Sequence, residues 1–94
     1  MDRKAAIEKL RAQLKEWDAE IQKLEAKAEK ENADAKAAYR KEIEDLREKR
    51  QSAQDKLKEV EQASEGAWEE MKSGVQEAFD TINNAFKKAM SKFQ

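Results

Sequence analysis

Residues 28–35 read Ala28-Glu29-Lys30-Glu31-Asn32-Ala33-Asp34-Ala35, and the fold depends on whether this stretch stays helical. Asn and Asp favour turns, because their short side chains hydrogen-bond to nearby backbone. Against a turn, the stretch has no Gly or Pro and is rich in Ala, the best helix former. An apolar stripe also passes through it without losing phase. Before it come Ile7, Leu10, Leu14, Trp17, Ile21, Leu24 and Ala28; through and beyond it come Asn32, Ala35, Tyr39, Ile43, Leu46, Arg50, Ala53, Leu57 and Val60. Every step is three or four residues, so all of these positions share one face of an α-helix. Loops usually scramble such phase. The spacing therefore predicts one continuous helix over residues 1–64, roughly 90 Å long at 1.5 Å per residue. The alternative is a turn at Lys30–Asp34, giving three helices of similar length in a monomeric bundle like a spectrin repeat.

The rhythm of the stripe varies along its length. From Ile7 to Leu24 the spacing alternates three and four, a heptad seam. From Ile21 to Ile43 it runs three, four, four, twice over, an eleven-residue repeat that offsets the heptad's left-handed supercoil and predicts a nearly straight middle. Heptad spacing resumes to Val60. Small residues at Ala28 and Ala35 let helices approach closely but bury little area. Asn32 reads either as a polar seam residue that fixes register or as simple surface. Arg50 can lay its aliphatic stem on apolar surface and send its guanidinium to solvent.

Ser64-Glu65-Gly66 follows the stripe. A mid-helix Gly costs about 1 kcal/mol, so a break is expected at 65–66 and a second helix over 67–94. Its apolar positions are Trp68, Met71, Val75, Ala78, Phe79, Ile82, Phe86, Ala89, Met90 and Phe93, a band wide enough to pack against two neighbours or to lie on a lipid surface. Lipid-surface helices usually carry excess Lys and Arg, whereas this segment has four basic and four acidic residues. At roughly 40 Å, it can fold back over Tyr39–Val60 but cannot reach Ile7–Leu24. A second copy of the chain is then expected to cover Leu10, Leu14 and Trp17, most simply in an antiparallel homodimer centred near Asn32–Ala35.

Composition sets the remaining bounds. Ninety-four residues make one small domain. Charged residues are 44% of the chain and the net charge is −1, with both signs interspersed as on a solvated helix surface; Asp45–Lys49 and Lys41–Asp45 are expected local pairs. Neither half is basic enough to track a phosphate backbone, so nucleic acid is not an expected partner. The absence of Cys and His removes disulfides, thiolate chemistry and the commonest general base and metal ligands. With no Gly-rich phosphate loop and acidic residues kept off the seam, no catalytic, cofactor or metal site is expected, and the protein is expected not to be an enzyme. The N-terminus is patterned unlike a signal peptide or membrane span, which makes the cytoplasm the expected compartment.

The run Gln13-Leu14-Lys15-Glu16-Trp17, the block Ala35-Lys36-Ala37 with Tyr39, and the run Ala67-Trp68-Glu69-Glu70-Met71-Lys72-Ser73-Gly74-Val75 resemble a group of short bacterial proteins. These are described as coiled-coil domain-containing, sometimes as apolipoprotein-like. The ending Ala85-Phe86-Lys87-Lys88-Ala89-Met90-Ser91-Lys92-Phe93 extends the likeness over essentially the whole chain. The resemblance implies a bacterial, all-helical protein and brings no activity or site.

The expected function is therefore that of a self-associating coiled-coil module, structural or protein-binding, with an unidentified protein partner. The alternative is a lipid- or membrane-surface protein that docks through its second helix.

Overall fold

Asp2, Asn32 and Ser64 decide where the helices begin. Each sits in extended backbone, and its side-chain oxygen accepts a hydrogen bond from the backbone N–H of an alanine three residues on: Ala5 at 2.7 Å, Ala35 at 2.9 Å and Ala67 at 3.1 Å. Such N-caps satisfy a donor that the helix itself leaves free. In the computed structural model, which describes residues 2–93, they open α1 (Arg3–Glu29), α2 (Ala33–Gln62) and α3 (Glu65–Lys92). The chain is all-α, and no strand occurs among the described residues. Met1 and Gln94, the two ends of the expected single domain, lie outside them.

Three expectations need correction. The continuous helix over 1–64 is interrupted at Lys30–Asn32, where Lys30 and Glu31 donate to Lys27 and Ala28 at 3.2 and 3.1 Å and Asn32 swings to ψ 172°. Asn32 is thus an exposed cap and not a seam residue that fixes register. The phase of the stripe misled for a geometric reason. A tight hairpin must turn both inner faces toward each other, so its connection also takes up whole helical turns, and the seven residues from Ala28 to Ala35 amount to about two. The second break falls at Ala63–Ser64, ahead of the expected 65–66, and α3 starts before residue 67. Ser64 caps α3, while Gly66 lies inside the first turn with negative φ.

The third correction concerns reach. Arg3 hydrogen-bonds to Ala63 O at one end of the molecule, and Lys27 Nζ donates to Phe93 O at 3.2 Å at the other. The helices therefore run up, down and up, with α1 and α3 parallel, in a rod of 52 × 18 × 17 Å. Starting at the same end, α3 covers the stripe of α1 along its length. Trp17, wholly buried, stacks between Phe79 at 5.5 Å and Phe86 at 5.1 Å; Tyr39 of α2 stacks on Phe93 at 4.1 Å. These rings hold α3 away, and the backbones of α1 and α2 lie closest.

Charges reinforce the α1–α2 pairing. Arg11 meets Glu61, Arg47 meets Glu25 at 2.8 Å, and Arg50 donates from Nη2 to Asp18 at 3.0 Å, its Nε lying 2.8 Å from the same carboxylate without forming a hydrogen bond. Arg50 thus does more than cover apolar surface. Of the expected local pairs, Asp45–Lys49 forms at 2.6 Å, whereas Lys41 and Asp45 are not paired. Because Arg50 and Asp18 are only partly exposed and a charge-assisted hydrogen bond joins them, Asp18→Asn is expected to cost about 1 kcal/mol in urea unfolding. The exposed Asp45→Asn should cost a few tenths.

Candidate functional site

The expected self-association residues gather into a single core inside one chain. Leu10, Leu14, Trp17, Ile21 and Leu24 of α1, Tyr39, Ile43, Leu46, Leu57 and Val60 of α2, and Trp68, Val75, Phe79 and Phe86 of α3 are all buried. Ile7, Met71, Ile82 and Phe93 are partly buried against them. The stripe of α1 is satisfied by α2 and α3 together.

The Lys30–Asn32 turn is the more unusual feature. It contains no glycine and no proline, and no described residue of the chain has positive φ. Lys30 keeps near-helical angles of −91° and −3°. Nothing in the turn is a conformation that helix-forming residues resist, and the cap made by Asn32 closes it.

A second feature lies between α1 and α3 at the end where both begin. Beyond Trp17 the aromatic stack stops, and small residues leave an apolar groove of about 400 Å³. Ala6, Leu10, Trp68 and Val75 form its floor, and Lys9, Lys72, Ser73, Gln76 and Glu77 its rim. Trp68 is 3% exposed, and its indole N–H is buried without a hydrogen-bond partner, although buried tryptophan usually finds one. By contrast, the Trp17 indole lies 3.4 Å from Asn83 Oδ1, which Gln13 also approaches. The groove escaped sequence reasoning because it requires knowing that α1 and α3 are parallel neighbours.

Two carboxyls outside the groove lining are shifted. Burial, and then the like charge of Glu16, push Glu20 above the usual carboxylate range, with Lys23 opposing; one of its oxygens is buried without a partner. The unfolded chain then ionises first as pH rises, so this contribution to stability is present at low pH and lost through the carboxylate range. Glu20→Gln is accordingly expected to raise the melting temperature slightly at pH 7, with the gain vanishing toward pH 3. The hydrogen bond from Lys72, followed by its charge, holds Glu69 below the usual range.

Among the described residues, no cluster of three or more acidic side chains could hold a metal ion, and no helix is long and apolar enough to cross a membrane. Comparison with protein-family models, curated proteins and solved structures gave no match. The resemblance to short bacterial coiled-coil proteins rests on the residues quoted above alone.

Proposed function

We propose that the protein is a non-enzymatic, self-associating helical module that joins with a second copy by exchanging α1 across the Lys30–Asn32 turn. The observation that carries this reading is a turn with no positive φ, set within an apolar stripe that remains in helical phase. Straightening residues 30–32 joins α1 to α2 in one long helix. The α1 of each copy then occupies the place against α2 and α3 that its partner's α1 has vacated, and the result is an antiparallel dimer of two bundles.

The energetic balance is close. Every buried contact of the closed bundle is remade in the exchanged form, including Trp17 between Phe79 and Phe86. Straightening loses the Asn32 cap, worth about 1 kcal/mol, and gains helical hydrogen bonds through the turn. Opposing it is the loss of translational and rotational freedom on association. Asn32→Ala removes the cap and supplies a better helix former. Light scattering after refolding at about 1 mM is expected to show a larger dimer fraction for Asn32→Ala than for wild type. Inserting Gly-Gly after Glu31 is expected to leave a monomer. A monomer for wild type and Asn32→Ala alike would defeat the proposal.

A further inference from the structure

We infer that the groove between α1 and α3 binds the single aliphatic chain of a long-chain carboxylate. Its capacity of about 400 Å³ lies at the small end of the range for small-molecule sites. Along α3 it runs from Trp68 to Glu77, roughly 14 Å. A helix of that length, 10–12 Å across with its side chains, occupies on the order of 1,000 Å³ and would ride on top of the groove. One extended hydrocarbon chain fits within it, against Leu10, Val75 and the Trp68 ring.

The polar groups favour an anionic head. Lys9 and Lys72 stand on opposite helices at the rim, facing one carboxylate, Glu77. Lys9 forms no ion pair among the described residues. Among the described residues Lys72 pairs with the exposed Glu69 alone. The Trp68 indole N–H is closed off from the groove, so the lysines alone hold the head. The groove is rebuilt unchanged when α1 comes from a second copy, so ligand binding is independent of self-association.

Calorimetric titration of the folded protein with sodium dodecanoate below its micelle concentration tests the inference. One saturable site per chain is expected, with 1-dodecanol binding more weakly. Lys9→Gln with Lys72→Gln should weaken dodecanoate binding roughly tenfold, as the loss of two solvent-facing ion pairs implies. Ser73→Phe places a ring across the mouth from an exposed position and should abolish binding with helicity unchanged. No saturable binding, equal affinity for dodecanol, or undiminished binding by Ser73→Phe would overturn the inference. So would association with phosphatidylglycerol vesicles, or with an amphipathic helical peptide, in place of free dodecanoate.

Discussion

Phe79→Asp is expected to unfold the protein at room temperature. Phe79 is 4% exposed and stacked on Trp17, which is itself fully buried. An aspartate here sits in apolar surroundings, and a buried unpaired charge costs several kcal/mol, a large share of what a small domain has in reserve. Far-UV circular dichroism should show most helicity lost, because isolated helices of this length are marginal in water. Phe79→Leu, which keeps the apolar volume closer, should stay folded at a cost of about 1–2 kcal/mol. The same variant tests whether α3 serves instead as a lipid-surface helix. On that reading, Phe79→Asp would keep its helicity and melting temperature while losing liposome binding, and the packing role assigned to α3 would be wrong.

Spin labels at Lys9 and Lys58 are expected to report two very different distances. Both residues are exposed and lie near the same end of the antiparallel α1–α2 pair. Helix axes 8–10 Å apart put the labels within about 20 Å in the closed bundle. In Asn32→Ala, refolded at high concentration with excess unlabelled protein, the two labels of one chain should lie roughly 75 Å apart, the length of forty-nine helical residues. A short distance under both conditions would mean that residues 30–32 never straighten.

The helical class and the core were legible because periodicity is a local property. The steps from Ile7 to Leu24 and from Tyr39 to Val60 mark the buried face whatever covers it, and every core residue expected from them is buried or partly so. Which surface covers which could not be read. Arg11 and Glu61, Asp18 and Arg50, and Glu25 and Arg47 have complementary signs about a midpoint near residue 35. A hairpin within one chain and an antiparallel pair of chains match those charges equally well. The turn at Lys30–Asp34 stands in the sequence only as the alternative because the unbroken phase of the stripe outweighs it, although Asn32 followed by Ala33-Asp34-Ala35 also reads as an N-cap with an acidic residue in the first turn. The Ser64 cap carried the same signal. The groove had no local signature, since it arises where Ala6 and Val75, distant in sequence, leave space between parallel helices.

The brevity of the two connections, Lys30–Asn32 and Ala63–Ser64, has a kinetic consequence. A tether this short gives each helix a local concentration of its neighbour in the millimolar range, so a newly made chain meets itself long before it meets a second copy. Helical bundles dominated by such nearby encounters fold in microseconds to milliseconds. The proposed exchange would therefore belong to crowded refolding or dense synthesis. Once formed, an exchanged pair must pull α1 out of its seat to revert, and that passage is as slow as global unfolding. The route by which the chain folds, and not affinity alone, then determines which form persists.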